Sequence, residues 1–313
     1  MLKEFCPGRE IRPNAAGTGS VRCFYADGVN TELPSLAVTG STGELGSRVA
    51  RRLAASDVAQ RLLVRDASRA PALDGAVPVT FENYDDHDSV VEALRGVTTL
   101  FMVSAAENAD RLGQHYAFVD AAAEAGVRHV VYTSFSGAAE DATFTLGRHH
   151  YFTEERIKQS GMDWTFLRDN LYLDFFPHLV GEDGVIRGPA GDGVVAAVTR
   201  DDIAAAAAEV LSKPGAHVGS TYVMTGPEAL TMAEVADTLT RLQGRPVSFH
   251  NETVEEAYES RKKWDVPDWQ YDAWVSTYTA IAAGEMAEVT DHVLRLTGRR
   301  PMSLADLLQR GLD

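Results

Sequence analysis

Residues 36 to 53 read LAVTGSTGELGSRVARRL, with glycines at 40, 43 and 46 set between an apolar run and a segment of helical periodicity. Leu36 to Val38 read as a short buried strand, and Leu45, Val49 and Leu53 recur at helical spacing directly afterwards. The glycines therefore fall at a strand-to-helix turn. At such a turn Gly40 permits the sharp bend, Gly43 lets backbone approach a ligand closely, and Gly46 lets the helix pack on the strand. The helix N-terminus collects unpaired N–H groups and a positive dipole end, so a diphosphate is the ligand this layout suits. The turn residues Ser41, Thr42, Glu44 and Leu45 join the three glycines as candidate contacts to a dinucleotide.

The same alternation continues downstream. Apolar strands are predicted at 61–65 (RLLVR), 77–81 (VPVTF), 98–104 (TTLFMVS), 129–134 (HVVYTS) and 164–168 (WTFLR). Helices are predicted through 90–94, 108–125 and 149–160. Continuous apolar strands separated by helices imply a parallel sheet covered on both faces. After Asn170 the rhythm loosens into an aromatic stretch and the glycine-rich 184–193. A helix follows at 201–211 with Asp201 as its expected N-cap, then a strand at 221–226. A helix at 231–244 opens with Thr231 and Glu234 in capping-box spacing, and a short strand follows at 247–250. The last sixty residues read as largely helical.

The turn is written G-x-x-G-x-x-G, not G-x-G-x-x-G, and this TGSTGELG resembles the short-chain dehydrogenase/reductase superfamily, more closely its atypical NmrA-like branch. The resemblance runs from about Ser35 to the C-terminus and is carried also by VRHVVYTSFSG at 127–137 and EERIKQSGMDWTFLRDNLYLDFF at 154–176. Within the branch the chain looks most like NAD(P)H:quinone oxidoreductases and triphenylmethane dye reductases. The expected fold is α/β, a Rossmann-type doubly wound parallel sheet with a smaller, mostly helical C-terminal substrate lobe. The expected division is a flexible extension over 1–34, a nucleotide-binding core over 35–225, and a lobe over 226–313 with contributions from about 170–195.

A chain of 313 residues, 45% of them hydrophobic, can bury a core of that size. Its net charge of −16 argues against a general binder of nucleic acid or anionic membrane. No membrane-length apolar run or secretory leader is visible, so the expected location is the cytoplasm. Cys6 and Cys23, the two cysteines, both precede the resemblance and are expected as free thiols. No metal site is expected, and a homodimer is left open.

For the cofactor, an acidic residue ending the second strand favours NAD by holding the ribose 2′-hydroxyl. Arg65 stands there, with Ser68 and Arg69 one short loop away, and a guanidinium fork suits a 2′-phosphate. NADPH is thus expected over NADH. The resemblance further implies Asn83 near the adenine, where relatives often carry Asp, and Ser104, Ala105 and Ser134 along the cofactor.

The superfamily's Tyr-x-x-x-Lys pair is missing from its usual helix. The only such spacing, Tyr258 with Lys262, lies far downstream and reads as a helix-surface pair. Alignment within the resemblance puts His150 in the slot that related reductases fill with lysine or histidine, and Glu154 one turn on can orient it. Asn170, at the carboxyl end of the sixth strand, is the third candidate catalytic residue. Tyr172, Phe175 and Phe176 follow as candidate walls for an aromatic substrate. The expected activity is hydride transfer from NADPH to a quinone-like or conjugated aromatic acceptor. The alternative is a non-catalytic NAD(P)-sensing regulator acting through a protein partner, and an epimerase or dehydratase is weakened by the missing tyrosine.

Overall fold

The computed structural model describes residues 10–11, 22–24 and 30–310, with side chains from residue 33. Strands β1 (Glu10–Ile11), β2 (Arg22–Phe24) and β3 (Asn30–Glu32) form a small antiparallel sheet in that order. The rest of the expected N-terminal extension, Cys6 included, lies outside the described residues, as does the Cys23 side chain.

From Leu36 the chain alternates as the apolar runs require: β4 (Leu36–Val38), α1 (Glu44–Ala55), β5 (Gln60–Val64), β6 (Ala76–Thr80), α2 (His87–Leu94), β7 (Thr99–Met102), α3 (Arg111–Glu124), β8 (His129–Phe135), α4 (Thr145–Gln159) and β9 (Asp163–Asp169). Then come β10 (Val185–Gly188), β11 (Val194–Val195), α5 (Arg200–Ser212), β12 (Ser220–Met224), β13 (Leu230–Thr231), α6 (Met232–Gln243) and β14 (Ser248–Asn251). Helices α7 (Val254–Arg261), α8 (Asp268–Ala282), α9 (His292–Thr297) and α10 (Leu304–Arg310) complete it.

Seven strands make one sheet in the order β12-β9-β8-β7-β4-β5-β6, and β4, β5, β6, β7 and β8 pair in parallel. Chain order runs one way from β4 to β6 and the other way from β7 to β12. The reversal beside β4 is the switch point at which doubly wound sheets bind ligands, outside the strands' carboxyl ends. All five β5 residues and all seven of β8 are buried, which is why those strands read as unbroken apolar runs. Arg61, with Gln60 before it, breaks the apolar run of β5. Its guanidinium is buried yet satisfied, donating to the carbonyls of Pro34 at 2.7 Å, Ala93 at 3.2 Å and Arg95 at 2.8 Å.

The chain divides into two compact units. The first comprises the described residues through Thr133 with Thr153–Phe166 and Ala207–Ser220; the second comprises Ser134–Phe152, Leu167–Ala206 and the described residues from Thr221. The first is organised around Leu100, Met102, Phe118, Tyr132, Ile157 and Phe166. Around Phe135, Phe144, Leu173, Phe176, Val235 and Ile281 the second builds a separate core. No helix among the described residues is long and apolar enough to cross a membrane.

The capping signals divide. On α6, Thr231 accepts from the Glu234 amide at 3.1 Å while the Glu234 carboxylate accepts from the Thr231 amide at 2.8 Å, and Gly244 closes the helix at φ 70°. Thr231→Ala should therefore destabilise the second unit by about 1 kcal/mol, measurable as a lower urea midpoint at unchanged slope. Asp201 is not the N-cap of α5. The helix begins at Arg200, and the Thr199 hydroxyl accepts from the Asp202 amide at 3.1 Å while donating to the Asp202 carboxylate at 2.8 Å. Asp201 and Asp202 lie in the first turn, where negative charge still favours the dipole.

Candidate functional site

In the first unit the glycine turn has the geometry that the spacing demanded. Gly40 takes a left-handed φ of 63°, and its carbonyl accepts from the Gly43 amide at 2.9 Å. A Cβ on Gly46 would stand 2.3 Å from the Gly40 carbonyl oxygen and 2.5 Å from its carbon, so α1 reaches the strand only because that position is bare. Gly43 is the N-cap of α1 and supplies no side-chain acceptor to the helix's first N–H groups. Ser41 is fully buried and its hydroxyl meets no protein hydrogen-bond partner among the described residues. Uncapped amides and an orphaned hydroxyl at a switch point fit the diphosphate of a dinucleotide. Glu44 sits exposed in the first turn, its carboxylate 2.6 Å from Arg48, which offsets a charge that would oppose phosphate.

The neighbouring loops are held by backbone contacts. Arg65 directly follows β5 and is exposed, as are Ser68 and Arg69. Asp66 accepts from the Ser68 amide at 2.9 Å and the Ser68 hydroxyl at 2.7 Å, and these bonds, with Arg69 nearby, hold its carboxyl below the usual range. Ser68 is thus engaged in shaping the loop that carries the two arginines. Asn83 is likewise a turn-former, its Oδ1 accepting from the amides of Asp85 at 3.0 Å and Asp86 at 3.2 Å.

The segment after β7, with Ser104 and Ala105, is pinned at every residue. The Val103 amide donates to the Thr39 hydroxyl at 2.8 Å, that of Ser104 to the Thr133 hydroxyl at 2.8 Å, and that of Ala105 to His115 Nε2 at 2.9 Å. Accepting at Nε2 makes Nδ1 the protonated nitrogen of His115, and Nδ1 lies 2.8 Å from the Thr153 hydroxyl. Arg111 Nε donates to the Ala105 carbonyl at 2.9 Å. The Tyr84 hydroxyl donates to the Val103 carbonyl at 2.8 Å, and burial pushes its pKa up to about 12. Sequence reasoning missed His115, Arg111 and Tyr84. The signal was slight: Arg111 and His115 are polar positions on α3, and Tyr84 lies in the turn between β6 and α2.

In the second unit, His150 is 6% exposed, its ring 5.9 Å from that of Phe135. Glu154, one turn further along α4 in the first unit, is 1% exposed. Burial of both side chains shows that neither is a solvated helix-surface residue. Ser134 is buried near the end of β8. Asn170, just past β9, donates through Nδ2 to the Met286 carbonyl at 3.0 Å and accepts at Oδ1 from the Leu171 amide at 2.8 Å. The Met286 carbonyl also accepts from the Ala196 amide at 2.9 Å, so Asn170 ties the strand end into the 196 and 286 segments.

Tyr172 places its hydroxyl 3.1 Å from Asp169 Oδ2 and receives the Arg200 guanidinium over its ring at 4.9 Å. Its two aromatic followers part company. Phe176 is 1% exposed in the core with Leu173, while Phe175 is 52% exposed and its ring lies 6.1 Å from His178. Asp169, the last residue of β9, is a functional candidate that the sequence reading passed over. It is 2% exposed, and burial raises its carboxyl well above the usual carboxylate range.

Tyr258 and Lys262 do not act as a couple. The tyrosine hydroxyl donates to Asp272 at 2.7 Å, and the lysine pairs with Glu259 at 2.6 Å. Among the described residues no three His, Cys, Asp or Glu side chains gather to hold a metal ion.

The profile of the NmrA-like family matches residues 34–274. The NAD(P)H azoreductase of Xenophilus azovorans is 33% identical over 273 residues, covering 86% of this chain and 95% of that protein. The crystal structure of the NADPH-dependent quinone oxidoreductase 2 of Escherichia coli, complexed with NADPH, superposes at a TM-score of 0.81. It has 31% identity and covers 89% of this chain and all of that one. The triphenylmethane reductase of Citrobacter sp. complexed with NADP(H) gives a TM-score of 0.78, with 31% identity over 88% of this chain and 99% of its own.

Proposed function

We propose that this chain, which belongs to the NmrA-like family, is an NADPH-dependent oxidoreductase that passes a hydride to a quinone-like or conjugated aromatic acceptor. The observation that carries the reading is the glycine turn, where a bare Gly46, an uncapped α1 and the orphaned Ser41 hydroxyl together suit a diphosphate. Bound there, NADPH supplies the hydride. Arg65 and Arg69 would hold its 2′-phosphate, Ser104 and Ala105 would border it on a segment whose amides are already fixed, and the turn at Asn83 would lie near its adenine.

For the acceptor, His150 and Glu154 serve as the buried orienting pair and Asn170 sets the loop that follows β9. Tyr172 and Phe175 form the wall against the substrate, and Phe176 supports them from the core. Quinones and cationic dyes accept hydride readily, so positioning by such groups can replace the missing Tyr and Lys. A small aromatic substrate and a cytoplasmic location belong to the same reading.

Fluorescence titration with NADPH and NADH, followed by cofactor oxidation against quinones and triarylmethane dyes, tests it. Tight NADPH binding with turnover is the expected result. Binding without turnover of any acceptor would transfer support to a nucleotide sensor. Within the same titration, Arg65→Ala should weaken NADPH about tenfold and leave NADH unchanged, since a charged hydrogen bond lost there removes about 1.4 kcal/mol.

A further inference from the structure

We propose that Asp169 is the acid that delivers the proton to an acceptor oxygen, so that this protein treats carbonyl acceptors and carbocation acceptors by different chemistry. The inference rests on the functional reading above and adds a residue to it. Asp169 ends β9 at the carboxyl edge of the sheet, its backbone carbonyl accepting from the Ser136 amide at 2.8 Å. One carboxyl oxygen, Oδ2, takes the Tyr172 hydroxyl at 3.1 Å. The other, Oδ1, is buried and meets no hydrogen-bonding group among the described residues.

A buried carboxylate with one oxygen unsatisfied is expensive, whereas a carboxylic acid whose Oδ1 carries the proton has a donor to offer. The charged groups near it do not neutralise an anion. Arg200 lies over the ring of Tyr172 and is engaged by Asp174, whose Oδ2 accepts from the Arg200 amide at 2.9 Å and whose Oδ1 lies 4.0 Å from the guanidinium. Burial accordingly pushes the acid's pKa upward, the direction an acid needs if it is to hold a proton near neutrality.

The chemistry then depends on the acceptor. A quinone that takes a hydride is reduced to a hydroquinone anion while the nicotinamide is oxidised, and one quinone oxygen is left negative. The Asp169 O–H bond breaks as the new O–H bond forms on that oxygen. The carboxylate regains a proton on Oδ2 from the part-exposed Tyr172 hydroxyl, which solvent replenishes, and a half-turn of the carboxyl group brings that O–H back to the Oδ1 position. A cationic triarylmethane dye takes the same hydride at its central carbon and ends neutral, with no oxygen to protonate.

Asp169→Asn keeps the shape of the side chain and removes its acidic proton. The expected result is a fall in kcat for a benzoquinone of roughly tenfold, below the usual hundredfold or more for general acid catalysis because quinones need little help, with a much smaller change for a cationic dye such as crystal violet. Equal effects on the two acceptors, or no effect on the quinone, would overturn the assignment. Failure of wild type to reduce either acceptor would overturn the functional reading and this inference with it.

Infrared difference spectra of wild type against the variant give a readout independent of turnover. A neutral-acid C=O band at pH 7 is expected, and its absence sinks the proposal. Thermal unfolding supplies a second. Below the ordinary value of 3.8 both folded and unfolded states hold the proton, and above it the unfolded chain releases its proton first. Wild type therefore loses stability relative to Asp169→Asn as pH rises toward the folded value, and a Tm gap that does not widen between pH 4 and about 7 counts against the raised acid.

Discussion

Alanine at position 46 should weaken NADPH binding by roughly a hundredfold. The added Cβ would lie 2.3 Å from the Gly40 carbonyl oxygen, 2.5 Å from its carbon and 2.9 Å from the Thr39 oxygen, all of them backbone atoms. No rotamer can relieve the clash. Either α1 tilts away from β4 or the turn between them moves, and both displace the amides that would meet the diphosphate. Overpacking of this kind costs about 3 kcal/mol, which as lost affinity is roughly a hundredfold, and the first unit should also melt earlier. Gly215→Ala is the control. Nothing among the described residues lies within 4 Å of its Cβ position and its backbone is not left-handed, so binding and stability should stay at wild-type level. Isothermal titration of the two variants decides the matter, and a Gly46→Ala protein that binds NADPH normally would remove the turn from the site.

The largest stability effect is expected at Arg261. Its guanidinium is buried against Glu252, the nearest atoms 2.9 Å apart, and also donates to the carbonyls of Ala257 at 2.8 Å and Arg187 at 3.2 Å. The ring of Tyr278 lies 5.5 Å from it. Arg261→Met removes the cation and leaves Glu252 buried without its partner, a change that destabilises by about 3 to 5 kcal/mol. Replacing both, as Glu252→Leu with Arg261→Met, should recover much of the loss because no lone charge stays buried. Three of the four tryptophans, Trp264, Trp269 and Trp274, belong to the second unit, so their fluorescence reports on its unfolding by urea. A double variant no better than the single one would show that the contacts to Ala257 and Arg187, not the ion pair, carry the effect.

These two positions differ in how openly the sequence declared them. Gly46 was legible because its role is local: a helix must approach the strand that ends eight residues earlier, and the spacing of three glycines states that. The strands were legible for a related reason, since burial on both faces writes itself as an unbroken apolar run. Arg261 was not, because beyond the Ala257 carbonyl its partners come from 187, 252 and 278, and nothing in the sequence pattern announces them.

Asp169 was passed over for the same cause. Only the folded chain shows that the carboxyl between Arg168 and Asn170 is buried. Phe175 and Phe176 look alike on paper, and the 3₁₀ turn at Leu173–Leu179 sends one outward and the other into the core. At the start of α5, two adjacent acids suggested a cap, yet the threonine before them takes the job because its hydroxyl both accepts the helix amide and donates to a carboxylate.

The grip of Arg61 on the Pro34 carbonyl has a practical corollary. The chain is fastened to the body of the sheet two residues before β4 begins, by a guanidinium that also clasps the carbonyls of Ala93 and Arg95. A reporter or affinity handle spliced in ahead of Pro34 would pull on that rivet before its load could reach the nucleotide turn. That makes residue 33 a sound junction for building a fluorescent coenzyme sensor.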